Sequence, residues 1–225
     1  MNQALEILIR RLESIGIVSS TDKCALAQLP FSMQPLETGQ DAVAEGARPT
    51  SCCLLIDGFM YRYHILPDGK RQILAIHTAG EIPDLQSLHL HRMDHSLAAL
   101  SPCKVAYIPH NSLRKAIRQS PTLCDILWRE TLIDAAIFRQ WIVSLGRRSA
   151  RVRLAHLLCE LFVRQRAIGK SEANACELPL TQTEIADVLG LSLVHVNRTL
   201  QGLRGDRLIE HRGRKLTILR WDGLQ

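Results

Sequence analysis

The chain has 225 residues, 46% hydrophobic and 22% charged, enough for one large or two modest domains with real cores. No uncharged apolar run approaches the roughly 18 residues of a membrane span. The opening MNQALEILIRRLES mixes acids and bases on an amphipathic pattern, unlike a signal peptide, so a cytoplasmic chain is expected with no membrane partner. Seven cysteines, at 24, 52, 53, 103, 124, 159 and 176, follow no regular spacing and form no CxxC. That argues against a disulfide framework and against a zinc knuckle. The net charge of +6 is unevenly placed: residues 147–225 hold 14 Lys/Arg against 8 Asp/Glu, whereas residues 1–146 balance 14 against 14. A polyanion partner for the C-terminal part alone is the reading this favours, beside that of a merely solvated basic surface.

In chain order, residues 2–15 and about 21–29 have the texture of two short helices, the first with Leu5, Leu8, Ile9 and Leu12 at helical spacing. Phe31 to Pro109 reads as short strands cut by Gly, Pro and Asp, with a hairpin turn at Pro67-Asp68-Gly69, and predicts a β-roll or jelly-roll barrel. Ser120-Pro121 opens a long helix to about Leu145. Its stripe of Leu123, Ile126, Leu127, Ile133, Ile137, Trp141 and Ser144 suits dimerisation or packing within the subunit. Gly146 with Arg147-Arg148 reads as a hinge. The next helix places Val152, Ala155, Leu158, Leu161 and Phe162 on one face, and AIGKSEANACE follows as a loop.

The stretch TQTEIADVLGLSLVHVNRTL then shows two helices about a Gly-Leu-Ser joint. Thr181 and Glu184 have the form of a capping box; Gly190 suits a left-handed helix end and Ser192 an N-cap. Ile185, Ala186 and Leu189 are expected inside from the first helix, and Leu193, Val196, Leu200 and Leu203 from the second. Val194, Asn197, Arg198 and Gln201 fall on the opposite face of that helix. Arg pairs with guanine, Asn with adenine, and Val meets a thymine methyl, which is the chemistry of major-groove reading. The run IEHRGRKLTIL predicts a basic wing, with Arg212, Arg214 and Lys215 placed to hold phosphates of double-stranded DNA.

With those residues in view, the chain resembles the Crp/Fnr transcription regulators over nearly its whole length. The resemblance rests on LLIDGFMYRYHILPDGKRQILAIHTAGE, RRSARVRLAHLLCEL and LTQTEIADVLGLSLVHVNRTLQGLRGDRLIE. It implies an α+β fold: a cyclic-nucleotide-binding-like β-roll (a double-stranded β-helix) over 1–120, a dimerisation helix over 121–146, and a winged helix-turn-helix over 147–225. It implies a homodimer on a two-fold symmetric operator, with RNA polymerase as a further partner and room for a small-molecule effector. By motif match Ser192, Val194, Asn197 and Arg198 fall where relatives touch DNA, with Val194 where many carry Glu. His195, at the edge of that face, is expected on a phosphate.

The effector half departs from the family pattern. Gly80-Glu81 matches the turn before the nucleotide pocket, leaving Leu85 near the ribose position, and no Arg-Ser follows, since Arg92 precedes Met93 and Ser96 follows His95. Cyclic AMP is therefore not the expected effector, and no cofactor is assigned. His89, His91 and His95, with Asp84 and Asp94 nearby, form a His-rich loop or surface helix on which His91 and His95 could share a face and bind a metal or haem; the metal-free reading is preferred. Cys52-Cys53 cannot easily face one way in a strand. Cys176 would be redox-sensitive only if exposed. An effector-independent DNA-binding protein with an inert β-roll, and a metal-binding cupin-like enzyme, are the alternatives. No nucleophile–base pair stands out for the latter, and no catalytic residue is assigned.

Overall fold

The computed structural model describes residues 3–224; residue 2, with which the first predicted helix begins, and Gln225 lie outside them. Helix α1 (Gln3–Ile15) is amphipathic and buries Ala4, Leu5, Ile7, Leu8 and Leu12, so Ile7 takes the inward place expected of Ile9. Helix α2 (Ser20–Ala27) is opened by a capping box in which Ser19 and Asp22 satisfy each other's amides.

Seven strands follow: β1 (Ser32–Leu36), β2 (Asp41–Val43), β3 (Ser51–Asp57), β4 (Met60–Ile65), β5 (Arg71–His77), β6 (Ser96–Ala99) and β7 (Cys103–Pro109). They form two sheets, β1-β7-β3 and β2-β6-β4-β5. Strand β7 runs antiparallel to both β1 and β3, and β6 antiparallel to both β2 and β4. Leu36, Cys53, Leu55 and Val105 of the first sheet meet Met60, Leu97 and Ala99 of the second in one core. This is the expected β-roll, with Gly69 in the left-handed conformation at the β4–β5 turn. Strand β3 is buried on both faces. Cys52 and Cys53 therefore point opposite ways and are both internal, Cys52 toward Ser87. A Cβ on Gly80 would lie 2.7 Å from Cβ of Arg11 and 3.1 Å from the Ile7 carbonyl oxygen, so glycine permits the close approach of α1 there.

Helices α3 (His110–Gln119) and α4 (Pro121–Arg147) complete this part of the chain. Two arginines grip α4 one turn apart. Arg11 makes a forked contact with Glu130, at 2.9 and 3.1 Å from Nη2, and Arg62 reaches Asp134 at 2.5 Å while also donating to the Pro83 carbonyl. Leu123, Ile126, Leu127, Trp141 and Ser144, from the stripe suited to dimerisation or to packing within the subunit, take the second course and are buried within the chain. A second stripe, with Trp128, Leu132, Ile142 and Val143, is exposed. Gly146 is not a hinge, because the helix runs through it and breaks at 148–149, where Ser149 caps α5 (Ala150–Ala167).

The chain divides into two compact units, residues 1–64 with 74–136, and residues 65–73 with 137–225. In the second, α5 buries Leu154, Leu157, Leu158, Leu161 and Phe162 against the elements that follow, while Val152, expected inside, is 44% exposed. The predicted loop 167–177 contains a strand, β8 (Ala175–Glu177). After α6 (Gln182–Leu189) and α7 (Leu193–Gly205) come β9 (Ile209–Arg212) and β10 (Lys215–Ile218), and β8 pairs with β10 to give a three-stranded sheet β8-β10-β9.

Asp22 supplies the clearest pH dependence. Its fully buried carboxylate accepts hydrogen bonds from Ser19, Thr122 and Ser120, tying α2 to the start of α4. Burial alone would raise its pKa, but the bonds from Ser120, Ser19 and Thr122 outweigh that and bring it from 3.8 to about 2. A depressed folded pKa gives stability that is complete above the unfolded value and lost as pH falls through the folded one. Asp22→Asn should therefore cost about 2 kcal/mol at pH 7 and progressively less from about pH 4 down to pH 2, read from denaturant unfolding at each pH. A cost that stays constant over that range would show that the carboxylate charge contributes nothing.

Candidate nucleic-acid interface

The two helices of the joint are set by local chemistry. Thr181 accepts from the Glu184 amide at 3.2 Å, and Glu184 Oε2 accepts the Thr181 amide at 2.7 Å, closing the capping box at the start of α6. Gly190 ends that helix at φ 61° and ψ 41°, a conformation that costs a residue with a Cβ about 1 kcal/mol or more. Ser192 then caps α7, accepting the His195 amide at 3.3 Å. Ile185, Val188 and Leu189 of α6 and Val196, Leu200 and Leu203 of α7 are buried, so the opposite face of α7 is held outward.

On that outward face Val194, Asn197, Arg198 and Gln201 are all exposed, Val194 by 78%. Among the described residues, no hydrogen bond or ion pair engages the Arg198 or Gln201 side chain, so both keep their full donor sets. His195 lies beside this face, half-buried in the first turn of the helix. Leu193 does not join the apolar core as expected; at the first helical position it is 51% exposed, next to Val194. The structure adds one residue to the face that the sequence pattern does not single out, Gln182. This first residue of α6 accepts a hydrogen bond from Asn197 Nδ2 at 3.1 Å. A polar residue directly after a cap, at the far end of α6 from the joint, is the only local sign of it.

The wing is present as expected, with Gly213 left-handed at its tip. Arg212, Arg214 and Lys215 are exposed. The added strand β8 brings acids among them: Arg214 pairs with Glu177 at 2.9 Å and Lys215 with Glu172 at 2.6 Å, around an open cleft of about 440 Å³. Exposed pairs of this kind hold weakly and can be exchanged for a phosphate. The net charge of the wing is thus lower than its arginines suggest.

Elsewhere the His-rich stretch and its neighbouring acids scatter, in keeping with the metal-free reading preferred for them. His89 and His91 are exposed in a loop, not on a helix, while His95 is buried just before β6. Burial, then the Arg62 charge, lowers its pKa to about 4 against the pull of Asp94. Asp84 is buried, accepting the Cys53 amide at 2.7 Å, and burial pushes its pKa up to about 7. Among the described residues, no three His, Cys, Asp or Glu side chains come together to hold a metal ion. Glu81 is buried and engaged internally, by His77 at 2.8 Å and Thr78 at 2.9 Å. Leu85 is buried in a short 3-10 turn, Leu85–Leu88, and Arg92 is exposed. Ser96 accepts the Glu45 amide.

An outward recognition face, a capped joint and a basic wing define a winged helix-turn-helix DNA-binding protein carrying a β-roll. Comparisons with known proteins narrow the class. Residues 152–225 match the Crp-like helix-turn-helix domain and residues 33–120 the cyclic nucleotide-binding domain. The nitrogen fixation regulation protein FixK of Bradyrhizobium diazoefficiens is 30% identical over 197 residues, covering 85% of this chain and 81% of that protein. The transcriptional activator protein Anr of Pseudomonas protegens is 27% identical over 198 residues, with 88% and 81% covered. The structure of FixK2 from Bradyrhizobium japonicum superposes with a TM-score of 0.78 at 24% identity, over 87% of this chain and 96% of that one. The chain belongs to the Crp/Fnr family of transcription regulators, and its helix-turn-helix binds DNA. No helix among the described residues is long and apolar enough to cross a membrane.

Cys176 lies in β8 rather than in a loop, is buried, and has a pKa raised to about 11 by burial and then by Glu177. Cys24 and Cys124 are exposed. A thiol reagent applied to the native protein should therefore modify Cys24 and Cys124 well before Cys176, as mass spectrometry of the peptides would show. Early labelling of Cys176 would contradict this placement.

Proposed function

We propose that the chain binds a two-fold symmetric operator as a homodimer and regulates transcription in the cytoplasm together with RNA polymerase. The observation that carries this reading is α7, buried on one face by Val196, Leu200 and Leu203 and exposing Val194, Asn197, Arg198 and Gln201 on the other. In the major groove Arg198 reads guanine through its planar fork, Asn197 reads adenine, and Val194 meets a thymine methyl. Ser192, His195, Arg212, Arg214 and Lys215 hold the backbone. The regulatory names of the relatives support regulation over catalysis.

The dimer forms through the exposed stripe of α4. Trp128, Leu132, Ala135, Arg139 and Ile142 alternate by four and three residues, the spacing of a coiled-coil seam. The stripe buried within the subunit cannot serve. Leu132→Glu, which would set like charges against each other at the seam, should yield a monomer by light scattering at micromolar concentration and weaken operator binding by at least about tenfold. An unchanged dimer would contradict the seam.

A second reading, operator binding without an effector, draws on the β-roll interior. Glu81 is already satisfied by His77 and Thr78, and Arg62 by Asp134 and Pro83. Cyclic AMP is then expected to leave operator affinity unchanged; a micromolar affinity by isothermal titration with tighter operator binding would refute both points.

Arg198→Ala should cost about 1–3 kcal/mol per half-site and flatten preference at one base pair. Arg214→Ala should weaken all sequences alike and lower the salt slope by about one unit for each phosphate it no longer neutralises. Competition binding at two salt concentrations checks both. A uniform loss for Arg198→Ala, with base preference intact, would remove α7 from the groove.

A further inference from the structure

We propose that Gln182 is a positioning residue for base reading, holding the Asn197 amide in the one orientation that selects adenine. This rests on the proposed placement of α7 in the major groove. Two side chains 15 residues apart, one on each helix of the motif, meet on its outer surface, with Asn197 Nδ2 donating to Gln182 Oε1 at 3.1 Å. Among the described residues, neither side chain has another hydrogen bond. Gln182 itself is firmly placed, because the Thr181–Glu184 box fixes the turn on which it stands.

The consequence follows from the donor and acceptor inventory of an amide. Asn197 has two N–H groups and one carbonyl oxygen. The bond to Gln182 uses one N–H, leaving the other N–H and Oδ1 side by side. Adenine offers the matching pair in the major groove, N7 to accept and N6 to donate. If the contact were reversed, with Gln182 donating to Oδ1, Asn197 would keep both N–H groups and a single lone pair. That set suits the two acceptors of guanine instead.

DNA resolves the choice. The sugar–phosphate backbone beside the motif presents acceptor oxygens, so Gln182 meeting it turns its own N–H groups outward and leaves Oε1 for Asn197. An interaction that carries no sequence information thereby sets the orientation of a side chain that does. Gln182 is the more apt for this because an amide can donate to phosphate and accept from Asn197 at once.

The test uses the full-length protein and competition binding on duplexes bearing every single-base change in an operator half-site. Wild type should prefer adenine at one position by roughly tenfold or more, a preference that Asn197→Ala removes. Gln182→Leu should abolish the same preference, while Gln182→Glu, which keeps the acceptor, retains it at lower overall affinity. In the double variant Gln182→Leu/Asn197→Ala no further preference should disappear. The guanine preference assigned to Arg198 should persist throughout, showing that the motif remains folded. Adenine preference surviving in Gln182→Leu, or abolished equally in Gln182→Glu, would overturn the proposal. So would a wild-type protein with guanine reading but no adenine preference dependent on Asn197, an outcome that leaves the proposed function standing. Wild type without any base preference would overturn the proposed function as well.

Discussion

The left-handed turn at Gly190 is the constraint on which DNA reading by this chain depends. It reverses the chain between α6 and α7 within three residues, and the Leu191 amide returns to the Ala186 carbonyl at 3.1 Å to close the turn. With the joint fixed, the buried side chains of both helices determine which residues of α7 face outward. Val194, Asn197, Arg198 and Gln201 do so because Val196, Leu200 and Leu203 cannot. The bond between Gln182 and Asn197 is a product of the same joint, since it requires the first turn of one helix to meet the middle of the next.

In the β-roll the ordering principle is the pairing of buried charge. Arg11 and Arg62 come from α1 and β4, far apart in sequence, yet both end on α4, on Glu130 and Asp134. Removing one partner would strand a charge in a largely dehydrated site, which is costly. These pairs hold one side of this part of α4 inward, and Trp128 and Leu132 are left on the outside. Polar groups of a kind suited to a ligand, Glu81 above all, are engaged by neighbours within the roll.

Signals confined to a few adjacent residues were legible in the sequence: the capping box at Thr181, the glycine joint, the Ser192 cap, the Pro67-Asp68-Gly69 hairpin and the outward quartet of α7. What escaped depends on distant partners. Helix α4 carries two apolar stripes, and spacing alone does not distinguish the one that is covered within the chain. Leu193, in the first turn of its helix, has the right chemistry for a core but stands beyond the packed layer. Strand β8 spans three residues and exists because β10 offers it an edge, a pairing some 40 residues away. The acids that β8 and its loop bring to the wing, Glu172 and Glu177, were hidden for the same reason. The histidines scattered because one of three neighbours, His95, faces inward while the others face solvent.

Sequence-specific reading by paired α7 helices is open to a direct measurement, the selection of bound duplexes from a random pool by the wild-type protein. Two copies of the outward α7 face, related by a dyad, should enrich a palindromic sequence with half-site centres about 34–36 Å apart, one helical turn of DNA. Each half-site should carry neighbouring guanine and adenine preferences. Enrichment of an asymmetric site, or of no sequence at all, would contradict that reading.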